Sequence, residues 1–168
     1  MKTIRIEKLT LNIGAGKSQD KLEKGLKLLA TLSKSTPVKT FTQKRIAQWG
    51  LRPGLPIGCK VTLRGEAAQT LLVSLLGARD NKLSAKQFDE EGNVSFGIHE
   101  YIDIPGSKYD PAIGVMGLQV CITLQRPGFS VRKRRVRPAK MPKDHRIKKE
   151  EAVDFMKQQF HVQIAEAE

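Results

Sequence analysis

The stretch "IGCKVTLRG", Ile57 to Gly65, decides the fold, because it alternates without a slip. Cys59, Val61 and Leu63 fall on one side of an extended chain, and Lys60, Thr62 and Arg64 fall on the other. One side suits a core, and the other is polar, basic and flat. A strand with two such sides belongs to a sheet covered on one face only, which is the habit of antiparallel sheets.

Upstream, "TIRIEKLTLNIG" (3–14) has Ile4 and Ile6, then Leu9, Leu11 and Ile13. This period-two pattern slips phase near Glu7-Lys8, as an edge bulge would make it do. "SQDKLEKGLKLLATLS" (18–33) places Leu22, Leu26, Leu28, Leu29 and Leu32 at helical spacing, with Ser18 or Asp20 as N-cap and an Asp20-x-x-Glu23 capping box. "PVKTFT" (37–42) reads as a second strand. Downstream, "GEAAQTLLVSLLG" (65–77) is a helix with Leu71, Leu72, Leu75 and Leu76 apolar and Gly77 as its stop. "NVSFGIHEYIDI" (93–104) and "GLQVCITLQ" (117–125) alternate again. The order β-α-β-β-α-β-β predicts an α+β fold: a mostly antiparallel sheet, helices packed on one face, and an open, basic opposite face.

Beyond Gln125, Pro127, Gly128, Pro138 and Pro142 interrupt regular structure until "KKEEAVDFMKQQF" (148–160) resumes helical spacing through Ala152, Phe155, Met156 and Phe160. The expected division is a core over 1–125 and a basic extension over 126–168 that ends in a helix packed on or continuing the core. No internal repeat interrupts this order.

Charge is segregated along the chain. The net charge is +13. Residues 1–64 carry fourteen Lys/Arg against three Asp/Glu, 65–125 four against eight, 126–150 eleven against two, and 151–168 one against four. Two basic blocks separated by an acidic middle argue for a polyanionic partner, nucleic acid first, rather than for basicity as a solubility device.

Cys59 and Cys121 each sit in an alternating apolar run with no Cys-x-x-Cys spacing and no clustered His, so both read as buried thiols in a reducing compartment. The N-terminus lacks the apolar region of a secretion signal, and no apolar run approaches a membrane span. A cytoplasmic protein is expected.

"NIGAGKS" (12–18) has the Gly-Lys-Ser of a nucleotide-binding loop, but Leu11 stands where the first glycine of that motif must be. A tight strand-to-helix turn is the better reading, although Asn12 and the N–H groups at the helix start could touch an RNA phosphate. His99, His145 and His161 are scattered, and Asp89, Glu90 and Glu91 sit in a turn before Gly92. No catalytic set, metal site or cofactor is expected. "KYDPAIGV" (108–115) reads as a structured turn, with Tyr109 anchoring it and Pro111 fixing its path.

The stretch 32–65 interleaves Lys34, Lys39, Lys44, Arg45, Arg52, Lys60 and Arg64 with hydroxyls and contains no carboxylate. Cations neutralise phosphates, hydroxyls bond phosphate or 2′-hydroxyl oxygens, and a flat strand face matches irregular RNA by shape. Within it "AQWGLRPGLP" (47–56) is a long loop bearing the chain's single Trp, which either stacks on a partner or folds back over the sheet edge.

"LTLNIGAGK", "STPVKTFTQKRIAQWGLRPGLPIGCKVTLRG", "EEGNVSFGIHEYIDIPGSKYDPAIGVMGLQVCITLQRPGF" and "HRIKKEEAVDFMKQQF" together resemble the large-subunit ribosomal protein family that binds 5S ribosomal RNA, in its archaeal form. The resemblance implies a binding scaffold, not an enzyme. It would clamp 5S rRNA in the central protuberance, beside large-subunit rRNA and neighbouring ribosomal proteins, and reach P-site tRNA with one loop. No membrane or small-molecule substrate is implied.

By motif, Asn12 and Thr62 match polar residues that touch 5S rRNA. The basic, hydroxyl-rich stretch adds Lys34, Ser35, Thr36, Thr42, Lys44, Lys60 and Arg64. "QKRIAQWGLRPG" matches the tRNA loop, through Arg45, Gln48, Trp49, Gly50, Leu51 and Arg52. Arg132, Lys133, Arg134, Arg135, Arg137 and Lys140 are further rRNA candidates. Where the family commonly reads Thr/Ser-Gly-Gln, this chain has Ser33-Lys34-Ser35, so Ser35 replaces the expected glutamine, and Lys34 is expected to compensate with a phosphate contact. The segment 131–150 is expected to be mobile in free protein and ordered on rRNA. The rival class is a general RNA-binding or RNA-chaperone module, which would engage many RNAs alike. A nucleic-acid enzyme ranks third, for want of paired carboxylates in the basic blocks.

Overall fold

The computed structural model describes residues 1–165, and it carries the alternation of 57–65 into a strand. In chain order the elements are β1 (Arg5–Gly14), α1 (Gln19–Ser33), β2 (Val38–Phe41), β3 (Pro56–Leu63), α2 (Glu66–Gly77), β4 (Lys82–Ser84), β5 (Val94–Ile98), β6 (Leu118–Gln125), α3 (Ser130–Lys133), α4 (Lys149–Phe160) and β7 (Gln163–Ala165). The main sheet has the order β2-β3-β1-β6-β5, with every neighbouring pair antiparallel.

The register of β1 slips between Ile6 and Lys8 against β6, where the apolar pattern changes phase. The bulge is not at an edge, however, because β1 is the central strand. The extra residue is Glu7, whose carboxylate pairs with Lys133 of the extension.

At the start of α1 the Ser18 hydroxyl accepts the Lys21 backbone N–H at 3.4 Å, which leaves Asp20 inside the first turn and the Asp20–Glu23 box unformed. The helix closes at Lys34, held at φ +52°, whose N–H donates to the Ala30 carbonyl. Gly77 does not act as a left-handed stop for α2. Its role is close approach, since a Cβ there would stand 3.2 Å from Pro105 Cγ. The reversal falls instead at Asp80 and Asn81, at φ +51° and +55°, where the Asn81 N–H reaches the Leu76 carbonyl.

The alternating run 93–104 is only half strand. β5 ends at Ile98, and Tyr101–Asp103 turns as a short 3₁₀ helix. Tyr101 is buried, and its hydroxyl accepts the Asp110 backbone N–H at 2.9 Å. The turn at 108–115 is thus anchored by Tyr101, whereas Tyr109 is exposed. Tyr101 shares the core with Ile98 and Ile104.

One core joins the inner sheet face (Leu9, Leu11, Ile13, Cys59, Val61, Val120, Ile122) to α1 and α2 through Leu22, Leu28, Leu29, Leu72, Leu75 and Leu76. Ile147, Ala152, Met156 and Val162 from beyond residue 125 belong to the same cluster. Each of the larger of these side chains contributes roughly 1.5–3 kcal/mol by burial. A second, parallel pair, β4 with β7, ties Lys82–Ser84 to Gln163–Ala165. Strands of three residues are too short to show a period, so sequence patterning does not reveal them. The final three residues of the 126–168 extension lie outside the described residues.

Candidate nucleic-acid interface

With Leu9, Leu11 and Ile13 committed to the core, the intervening Lys8, Thr10 and Asn12 face away from it. The same phase holds for Lys60 and Thr62 of β3, Gln119, Cys121 and Thr123 of β6, and Ser95 and Gly97 of β5. Register then sets these residues in rows. One row runs Val38, Lys60, Asn12, Gln119, Gly97 across five strands, and the next runs Thr62, Thr10, Cys121, Ser95 across four. Asn12 Nδ2 donates to Gln119 Oε1 at 3.3 Å, so the two amides hold each other in place. Neither row contains a carboxylate.

Cys121 belongs to this face and is exposed, contrary to its reading as a buried thiol. Val120, Ile122 and Leu124 take the core side of β6, and strict alternation leaves Cys121 outside. Cys59, on the core side of β3, is fully buried, and that burial raises its thiol pKa.

The loop between β2 and β3 is a hairpin closed on itself. Thr42 N–H donates to the Leu55 carbonyl, Gly54 N–H to the Thr42 carbonyl, and Ile46 and Leu51 exchange backbone bonds of 3.1 and 3.0 Å. The Thr42 hydroxyl is spent at the hairpin base on the Arg52 and Leu55 carbonyls. Lys44, Arg45, Gln48, Gly50 and Arg52 are exposed, and Trp49 stands 64% exposed at the tip instead of covering the sheet edge. Leu51 is the exception among the loop candidates, being buried as the hairpin's own small core. At Gly50, φ is +60° and the Lys17 side chain lies against the backbone, so the tip rests on the turn that precedes α1.

Lys34, Ser35 and Thr36 are exposed just after α1. Lys34 borders a groove of about 680 Å³ between α1, α2 and the 104–113 loop, on the helix side of the molecule, and so is not brought beside Asn12.

The basic run after β6 is a loop fastened at its base. The Arg126 guanidinium, 5% exposed, bonds Glu151 of α4 at 2.6 Å and the Asp144 carbonyl at 3.5 Å. A ring nitrogen of His145 lies 2.9 Å from the Pro127 carbonyl, and its ring meets Phe129 edge-on. Glu151 also accepts the Lys148 N–H, and this bond, more than its arginine partner, holds its carboxyl below the usual glutamate pKa. Arg132, Lys133, Arg134, Arg135, Arg137 and Lys140 are all exposed on the loop so formed.

Sequence reasoning missed Lys8, Thr10, Gln119, Cys121 and Ser95 as members of the sheet face turned away from the core. Their alternation phase is visible in the chain, but their common row depends on which strands pair. Arg5 and Arg126 were missed for a related reason, since neither lies inside a run of basic residues.

Residues 1–52 match the family model described as Ribosomal protein L5, and residues 56–155 match the model of the same ribosomal family's C-terminus. Among curated relatives, the large ribosomal subunit protein uL5 of Nanoarchaeum equitans is 50% identical over 165 residues, covering 98% of this chain and 97% of that protein. Its namesake from Sulfurisphaera tokodaii is 49% identical over 167 residues, covering 99% and 94%. That of Methanosphaera stadtmanae is 48% identical over 159 residues, covering 95% of each. All three sources are archaea. With nearly the whole chain matched at this identity, the chain belongs to the ribosomal protein L5 family.

Proposed function

We propose that this protein binds 5S rRNA on its open sheet face, anchors that RNA in the central protuberance of the large ribosomal subunit, and reaches P-site tRNA with the Trp49 hairpin. Membership of a ribosomal protein family makes it a structural component rather than an enzyme, working in the cytoplasmic ribosome with rRNA and ribosomal proteins as partners. The observation that carries the reading is the pair of rows crossing the sheet through Asn12, Lys60, Thr10 and Thr62. They offer amide, ammonium and hydroxyl groups on a flat surface free of carboxylates, which suits phosphate and 2′-hydroxyl recognition by shape. Residues 1–125 would supply that core interface, and 126–168 a second contact with rRNA.

A filter-binding titration against matched 5S rRNA and an unrelated structured RNA, over a salt series, tests the reading. A 5S advantage that persists as salt rises, and falls in Asn12→Ala and Thr62→Ala, supports it. Two RNAs that weaken together along one steep slope would replace it with a general RNA-binding module.

A further inference from the structure

The two basic blocks, far apart in the chain, meet at one end of the sheet. β1 starts there with Arg5 opposite Gln125, while β3 and β6 both end there, so Arg64 and Arg126 follow directly. α3 then folds Lys133 and Arg134 back over the same corner. Between them lies an open cavity of about 450 Å³, lined by Arg5, Arg64, Arg126, Lys133 and Arg134 with a single carboxylate, Glu7.

We infer that this cavity is a dedicated phosphate site, taking one backbone phosphodiester of the bound RNA. The inference rests on the RNA-binding reading above and adds to it a place where a phosphate is bordered by cations from three strands' ends and the extension.

The cavity is built, not a chance gathering of surface lysines. Arg126 is buried, and its guanidinium is fixed from behind by Glu151 and the Asp144 carbonyl, so its charge cannot swing away into solvent. Arg134 is oriented by donating from Nε to the Arg137 carbonyl at 2.8 Å. Lys133 is held by Glu7, which is largely buried at the β1 bulge. Five cations line the cavity with Glu7, and Glu151 behind Arg126 offsets a second of them, which leaves an excess of three positive charges that an oxyanion would complement. Glu7 plays two parts: it positions Lys133 and it lowers the affinity for any anion that enters. A free monoanion therefore competes poorly, whereas a phosphodiester delivered by an RNA already bound elsewhere arrives at high effective concentration.

The test uses the full-length protein and 5S rRNA, with the salt slope of binding as readout. Arg5 and Arg64 are exposed and support no core contact, so Arg5→Gln and Arg64→Gln keep the fold, which thermal denaturation checks. If the cavity engages one phosphate, the double change reduces the slope by at most the value for one phosphate, about 0.9 in d log K/d log[salt] by analogy with duplex DNA, and each single change by less, because the remaining cations still hold that phosphate. Glu7→Gln moves affinity the opposite way, with several-fold tighter binding. A loss in the double variant well above the value for one phosphate, or a slope that none of the changes alters, overturns the site, and an unaltered slope does so even where the preference for 5S rRNA persists. Loss of that preference with the slope changes intact would instead reject the 5S reading and leave the phosphate site standing. In a separate arm, inorganic phosphate is added to the protein without RNA. Stabilisation that the double variant abolishes, together with an unchanged RNA slope, assigns the cavity to free phosphate and overturns the RNA phosphodiester.

Discussion

Arg126 Nη2 stands 2.6 Å from Glu151 Oε1, joining the end of the last long strand to the first turn of the last helix across twenty-five residues of chain. The arginine is buried and the glutamate only partly so, and Glu151 at the same time caps its helix by accepting the Lys148 N–H. One ion pair thus closes the basic loop and sets the helix that follows.

Removing one partner should release both. Glu151→Ala leaves a buried guanidinium short of its counter-charge, and because the glutamate is partly solvated the cost falls below that of a fully buried pair, at about 2 kcal/mol in urea unfolding. Hydrogen exchange should rise at residues 131–148 ahead of the sheet.

The same pair makes stability pH-dependent in a defined direction. The folded carboxyl of Glu151 titrates below its unfolded counterpart, so its contribution is complete above the ordinary glutamate pKa and is lost as pH falls through the lowered folded value. The stability gap between the native chain and Glu151→Gln should therefore narrow between pH 7 and pH 3, measured by denaturant titration at each pH.

Lys34 occupies a left-handed position that favours glycine. Lys34→Gly should stabilise the protein by about 0.5–1 kcal/mol while removing a cation. If Lys34 reaches an rRNA phosphate, Lys34→Ala and Lys34→Gly both make RNA binding less salt-dependent, and an unchanged slope removes that role.

The two thiols provide a footprint of the sheet face. Cys121 should react with an aromatic disulfide reagent in native protein, and Cys59, buried with a raised pKa, only on unfolding. Bound 5S rRNA should protect Cys121. A thiol that reacts at the same rate with and without saturating RNA would show that the RNA lies elsewhere.

Trp49 is exposed, so Trp49→Ala should change stability by less than about 0.5 kcal/mol while weakening any tRNA contact of the hairpin. Gly58→Ala should do the reverse. A Cβ there would stand 2.7 Å from the Ile13 carbonyl oxygen, and overpacking at the β1–β3 junction should cost about 1–3 kcal/mol, read as a lower midpoint of thermal unfolding.

The clean alternation of 57–65 and 117–125 and the leucine spacing of 18–33 were sufficient to identify strands, helix and the inner face, because those periods are local properties of the backbone. The run 93–104 misled for the same reason. Its alternation continues past Ile98, yet Tyr101 is drawn into the core by a bond to Asp110, a contact no local period encodes. Cys121 was legible in principle, since its neighbours Val120 and Ile122 already claimed the core side.

Residue order alone thus specified the α+β class, the sheet with one apolar and one polar side, the two basic blocks, and through its motifs the family. These depend on patterns a few turns or strands long. It took the folded chain to establish that β1 lies at the centre of the sheet, which rows cross it, that the basic run is a loop clasped by Arg126 and Glu151, and that the two basic blocks converge around Glu7. Those features arise from strand pairing and long-range packing, where free energy depends on contacts between residues distant in the chain, and a one-dimensional pattern carries no record of which distant partner is chosen.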